Sequence, residues 1–259
     1  MPGAICRWKP RYGTAVQNFP HACCLWAAYT GNSLTAASCL WSRPHSAGWT
    51  NLWGIWSRPS PLTEKLRAAL HGSAVAALFN QVQLSHTGAD ISCTSLGNEP
   101  AGLAASVTMR AITAAYLFSN TLVVLEITEE ILRALLERCA SYFTLENGTP
   151  RVSDAFLAPK VEHYNYDFFA GISYQFDLRQ PVGRRLTRLS RLDGTPLGPG
   201  PLRLCTSNYR ATGTGGYDAL RTCPVLWRGS VEMPELVAEY VRANSPVSLP
   251  CNGRMEAIW

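Results

Sequence analysis

Residues 121–143 read TLVVLEITEEILRALLERCASYF, and they carry a complete strand-to-helix unit. Thr121 to Ile127 is apolar and rich in β-branched side chains, which suits a buried strand. Thr128 offers a capping hydroxyl, and Glu129 and Glu130 stand where a helix presents its positive end. The spacing predicts a helix from there to about Tyr142. An apolar strand that feeds a capped helix without a gap requires a sheet with helices packed on it.

The neighbouring stretches extend this unit in both directions. Upstream, Leu66, Ala69, Leu70, Val75, Leu78, Phe79 and Val82 recur at helical spacing and predict an amphipathic helix from about Thr63 that ends at a Gly88 C-cap. Ala89 to Ser95 reads as a short buried strand, 97–102 as a loop, and Thr108 as the cap of a short helix. Downstream, 146–160 is polar, contains proline and reads as loop. Gly171 to Leu178 alternates as a half-buried strand does. Leu186 to Leu192 and Leu202 to Thr206 flank an Asp193-Gly194 turn and predict a hairpin. Pro234 opens a further helix, and the final MEAIW adds an edge strand. Hairpin and crossover connections together predict an α+β fold with mixed sheets and packed helices.

Charge divides the chain into two parts. The formal charge of +5 over 259 residues resides entirely in residues 1–62, which hold Arg7, Lys9, Arg11, Arg43 and Arg58 and no acid. Removing these five from 23 basic residues leaves 18, against all 18 acidic ones. The segment 63–259 is therefore balanced, which argues against a nucleic-acid polymer as partner. Residues 1–62 also hold six of the eight tryptophans and four of the nine cysteines, with no sustained periodicity. They read as an irregular Trp/Cys/Arg-rich leader: either a tryptophan-rich arm for a membrane surface or, the favoured expectation, a disordered or artefactual leader, from a frameshifted or mis-called start. The domain proper is expected at 63–259. No run of eighteen apolar residues predicts a membrane span, and no signal-peptide pattern opens the chain. The nine cysteines show no CxxC pair and read as reduced thiols.

The ten residues NYRATGTGGY (208–217) concentrate three glycines, an arginine and two tyrosines. Glycines permit positive φ and close backbone approach, and an aromatic face beside a guanidinium suits a planar, electron-rich ligand. On composition alone Asn208 to Tyr217 reads first as a flexible surface turn with a tyrosine in the core, since glycine-rich loops are common, and second as a binding loop for a planar partner such as a nucleobase.

Four blocks, FNQVQLSHTGADIS (79–92), the stretch 107–143, HYNYDFFAGISYQFDLRQPVG (163–183) and NYRATGTGGY (208–217), resemble in order the C-terminal domain of the 5′-nucleotidase family. The nearest resemblance within it is to 2′,3′-cyclic-nucleotide 2′-phosphodiesterase/3′-nucleotidases, enzymes of nucleotide catabolism. The resemblance implies a substrate-recognition domain that sandwiches a base between two rings, here Phe118 and Tyr209. Asn120 would hydrogen-bond a ring edge, Arg210 and Tyr217 would complete the site, and Gly213, Gly215 and Gly216 would let the loop approach base or ribose. Nucleosides and nucleotides are the expected ligands. The family's hydrolysis is performed by an N-terminal metallophosphoesterase domain with two divalent metals, whose ligand motifs do not occur in this sequence. The expectation is therefore a binding domain with no metal or catalytic residue of its own, inactive as a hydrolase unless a separate metallophosphoesterase domain joins it; the remaining alternative is a protein-interaction module or pseudogene remnant that binds no nucleoside. The family is usually exported. His163, beside Tyr164, Asn165, Tyr166 and Asp167, reads as a packed loop anchor rather than a metal site.

Overall fold

The computed structural model describes residues 52–53, 64–99, 101–103, 106–245, 247 and 251–259. The leader expected over 1–62 lies outside them except for β1 (Leu52–Trp53). The next elements are α1 (Glu64–His71), α2 (Ala74–Thr87), β2 (Ile91–Ser95), β3 (Ser106–Val107), α3 (Met109–Ala115), β4 (Thr121–Ile127) and α4 (Glu129–Ala140). They are followed by β5 (Phe143–Glu146), β6 (Thr149–Val152), β7 (Asp167–Ala170), β8 (Ile172–Asp177), β9 (Leu186–Arg191), β10 (Leu202–Ser207) and α5 (Asn208–Ala211). The chain closes with β11 (Val225–Glu232), α6 (Met233–Ala243) and β12 (Arg254–Ile258).

The strand and cap at 121–143 form as their chemistry dictates. The Thr128 side chain accepts from the Ile131 amide, and both glutamates occupy the first turn of α4. Thr108 caps α3 in the same way, by accepting from Ala111. The first expected helix is instead two. Gly72 takes φ +86, which an α-helix does not tolerate, and Ser73 then caps α2 by accepting from Ala76. Gly88 ends α2 in the left-handed conformation at φ 62, as expected of a C-cap.

The central sheet has the order β11-β4-β10-β2-β7. Only β10 and β2 run parallel; the other three pairings are antiparallel, so the sheet is mixed. Side-chain alternation splits its core between two faces. Val123, Leu125, Ile127, Ile91, Cys93 and Leu204 face a core that includes α4. Leu122, Val124 and Cys205 face a second core built with α2, α3 and α6. Phe79 and Phe156, one in each core, are both fully buried, and truncating either to alanine removes about 3–5 kcal/mol of packing.

The expected hairpin of 186–206 does not form. β9 pairs with β8 and β10 enters the central sheet between β4 and β2; the alternation of β10 places Leu202 and Leu204 in one core and Cys205 in the other. The expected loop at 146–160 contains the second half of a real hairpin. β5 and β6 pair across Asn147 and Gly148, with φ of 50 and 74, the Asn-Gly turn that matches strand twist. β12 pairs parallel with β8 at the edge of a three-stranded sheet, as the MEAIW reading required. Gly171 marks the passage from β7 in the central sheet to β8 in this second one. Its φ is +89, and a side chain there would collide with the Asp90 carbonyl.

Candidate functional site

One end of the central sheet gathers the segments that carry the site residues. Because β10 and β2 are parallel while β4 and β7 oppose them, the C-terminal ends of the first two lie beside the N-terminal ends of the others. Ser207 pairs with Leu122 and Ser95 with Asp167. The Asn208 carboxamide oxygen accepts from the Thr121 amide at 3.2 Å, which stitches the start of the loop to the segment bearing Phe118 and Asn120. The strand register thus brings together residues that are some ninety positions apart.

Three aromatic rings stand at this end with a face or edge toward solvent. Phe118 is 37% exposed and Tyr209 41%, whereas the other phenylalanines and tyrosines among the described residues pack mainly inside the two cores. The third is Tyr164, half-buried, whose ring centroid lies 6.4 Å from that of Phe118 at 65°. Phe118 also leans edge-on against buried Tyr116 at 6.3 Å. Among the described residues Phe118 and Tyr209 share no ring contact, so Tyr164 is the ring that meets Phe118. Tyr164, in the stretch expected to form a loop anchor, is not among the expected site residues. The repeated tyrosines of HYNYD were the available signal.

Asn120 is only partly exposed. Its amide nitrogen donates to the Tyr116 hydroxyl at 3.4 Å and its backbone oxygen accepts from Met233 at 2.9 Å. Arg210 and Tyr217 lie beneath the loop rather than on it. The Arg210 guanidinium donates through Nε and Nη2 to the two oxygens of Asp167 at 2.8 and 2.9 Å. The remaining directions go to the carbonyls of Tyr164 and Thr214, and the guanidinium carbon sits 4.2 Å above the Tyr217 ring. Burial pushes the Asp167 carboxyl up, and the Arg210 guanidinium opposes that shift. Tyr217 is 1% exposed, donates to the Asn165 carbonyl at 3.1 Å and lies 3.0 Å from the Cys139 sulfur.

The glycines serve the same underside. Gly213, Gly215 and Gly216 have φ of +81, +82 and +87. A Cβ at Gly213 would meet Arg221, one at Gly215 would meet Asn165 and Arg210, and one at Gly216 would meet Arg138. The Gly215 and Gly216 directions therefore point into the scaffold, onto a floor of Arg210, Arg138 and Asn165, while Gly213 lies against the exposed Arg221 side chain. Arg138 completes the clamp by donating to the Gly215 carbonyl at 2.8 Å. Ser207 caps the single turn that carries Tyr209, its oxygen accepting from the Arg210 amide at 3.1 Å. Tyr209 rides on a fixed base.

His163 does anchor its loop. Its Nδ1 is 2.7 Å from the Tyr142 hydroxyl, and burial, aided by Lys65, holds its pKa below the usual imidazole range. Glu162 accepts from the Tyr164 hydroxyl at 3.0 Å and from the Asn165 amide at 2.8 Å. The described residues do not fit a two-metal centre: no group of three or more His, Cys, Asp or Glu is placed to hold an ion, and the Asp167 carboxylate is occupied by Arg210. A cavity of about 50 Å³ lies away from the rings, between α2 and the strands around Tyr174 and Asn252. None of Phe118, Tyr164 or Tyr209 lines it, and the open aromatic surface is the better candidate.

The family model for the C-terminal domain of 5′-nucleotidases matches residues 61–222, which reaches upstream of the sequence resemblance to the start of α1. Among curated proteins, the 2′,3′-cyclic-nucleotide 2′-phosphodiesterase/3′-nucleotidase of Haemophilus influenzae is 26% identical over 204 residues, 72% of this chain and 31% of that protein. The trifunctional nucleotide phosphoesterase YfkN of Bacillus subtilis is 27% identical over 139 residues, 49% of this chain and 9% of that protein. A solved structure from Staphylococcus aureus assigned as a 5′-nucleotidase superposes with a TM-score of 0.71 at 30% identity, covering 74% of this chain and 38% of the other. A 5′-nucleotidase precursor from Thermus thermophilus shares the fold at a TM-score of 0.60 and 20% identity, over 81% of this chain and 38% of the other. The chain spans less than a third of the length of either curated relative. On its sequence and its fold, this chain belongs to the 5′-nucleotidase C-terminal domain family.

Proposed function

We propose that this domain binds the base of a nucleoside or nucleotide on the ring surface formed by Phe118, Tyr164 and Tyr209. The observation that carries the reading is the contrast between a locked underside and exposed rings. Arg210, Arg138 and Tyr217 spend their hydrogen bonds on holding the loop, while Tyr209 above them stays open to solvent. Prepositioned rings lose little freedom when a base stacks on them, and each stacked base contributes about 1–3 kcal/mol without strong preference for its identity. The names of the relatives, which are nucleotide phosphoesterases and a nucleotidase, favour the same ligand class. The surface is a platform rather than an enclosed pocket. In a longer protein, a metal-bearing phosphoesterase domain would close over it and act on the phosphate while this domain holds the base.

Titration of the purified chain with adenosine tests the reading. Saturable binding that weakens about 10-fold in Tyr209→Ala, and by a similar factor in Phe118→Ala, with unfolding midpoints unchanged, is the expected result. Wild-type protein that shows no saturable binding of any nucleoside would overturn it.

A further inference from the structure

Lys160 reaches across the proposed site. Its ammonium lies 5.6 Å from the centroid of the Tyr164 ring, the ring that meets Phe118, and its charge is felt by Tyr209 as well. Its carboxylate neighbour, Glu162, acts on it through charge without a direct ion pair. Both oxygens of Glu162 accept hydrogen bonds, from Tyr164 and from Asn165, and among the described residues Lys160 forms no salt bridge. A solvated ammonium is thus held beside Tyr164 by its hydroxyl and by a weak cation–π contact with its ring, on the surface that a base would cover.

We propose that Lys160 selects among purines, favouring 6-oxopurine nucleosides such as inosine and guanosine over adenosine; this rests on the base-binding reading above. A base that stacks on Tyr164 displaces the ammonium from the ring to the rim of the base. An ammonium has three donors and no acceptor. A 6-oxopurine presents O6 and N7 side by side as acceptors, whereas adenine presents an amino donor beside N7. The first pattern satisfies Lys160, and the second leaves it against a group of like polarity. The contact is solvent-exposed, so the preference is modest, about 5-fold, the worth of one hydrogen bond made in water.

The test is calorimetric titration of the whole chain with inosine, guanosine and adenosine, in wild type, Lys160→Met and Lys160→Arg. We expect inosine and guanosine to bind about 5-fold more tightly than adenosine in wild type. Lys160→Met should bring the ratio to about one with adenosine affinity changed less than about 2-fold, and Lys160→Arg should keep the preference. Equal affinities in wild type, or a preference that survives Lys160→Met, would overturn the role of Lys160 and leave the base-binding reading standing. Failure of all three nucleosides to bind would overturn that reading and this inference with it.

Discussion

Asp167 and Arg210 meet through two parallel hydrogen bonds of 2.8 and 2.9 Å, with side chains only 2% and 3% exposed. Asp167 begins β7 and Arg210 lies in the turn after β10, so this pair ties one edge of the central sheet to the loop of Gly213 to Gly216. A bidentate guanidinium is suited to the role, since its fork meets the carboxylate while its outer donors hold the Tyr164 and Thr214 carbonyls.

Removing either partner leaves the other charge buried. Arg210→Ala and Asp167→Ala should each lower unfolding stability by about 3–5 kcal/mol, read from urea midpoints. Arg210→Lys should lose a large share of that, because a point charge cannot reach the same four acceptors. A loss below about 1 kcal/mol in Arg210→Ala would show that the pair does not organise the loop.

Gly215 and Gly148 make a controlled comparison. Both have positive φ, of +82 and +74, but an added Cβ meets nothing near Gly148 and meets Asn165 and Arg210 at Gly215. Gly148→Ala should therefore cost only the backbone term, about 1 kcal/mol. Gly215→Ala should cost at least about twice that and also weaken nucleoside binding, as the loop lifts from its floor. Equal losses at the two positions would mean that the loop is held without close packing.

What the sequence disclosed, and what it did not, follows range of interaction. Thr108, Thr128 and Gly88 act as caps within three or four residues of themselves, and local chemistry identified each. The break at Gly72 and the Asn147-Gly148 turn were equally local, and the residues that cause them were in plain view. The partner of β10 was not local. An Asp-Gly turn between two apolar runs suggests a hairpin, yet β10 lies between β4 and β2 because its two faces fill both cores. The site divides in the same manner. Phe118 and Tyr209 were assigned through resemblance and do stand exposed at one sheet end. That Arg210 and Tyr217 face inward could not be read from the motif, because Asp167, which captures Arg210, is 43 residues away.

Alkaline pH provides a check on burial with two opposite signs. Burial pushes the Cys205 thiol up to about 12, against the opposing effects of Thr87 and Arg203. A folded-state pKa above the unfolded value gives stability that is complete below about pH 9 and is lost as pH rises toward 12, at up to about 1.4 kcal/mol per pH unit. Burial lowers Lys65 to about 8, where its amine donates to the Gly97 carbonyl. The unfolded chain holds that proton until about pH 10.5, so Lys65 makes stability rise between pH 8 and 10.5. Urea midpoints from pH 8 to 11 should show Cys205→Ala losing less stability than wild type above pH 9, and Lys65→Met gaining less between pH 8 and 10. Parallel curves for wild type and Cys205→Ala would place that thiol in contact with water.

Tyr164 separates stacking from support of the loop. Its ring meets Phe118 and lies beneath Lys160, its hydroxyl is held by Glu162, and its backbone carbonyl receives Arg210. Substitution leaves the carbonyl in place, so the loop floor survives. Tyr164→Phe keeps the ring and should bind nucleosides within about 3-fold of wild type, losing the part-buried hydrogen bond to Glu162. Tyr164→Ala removes a stacking face and should weaken binding by about 10-fold or more, with unfolding stability changed by less than about 1 kcal/mol because the residue is only half-buried. If Tyr164→Ala binds as wild type does while Tyr209→Ala does not, the base stacks on Tyr209 alone and Tyr164 merely braces Phe118. If both substitutions weaken binding, a double variant that loses no more than either single one would mean that the two rings act on the ligand as one surface.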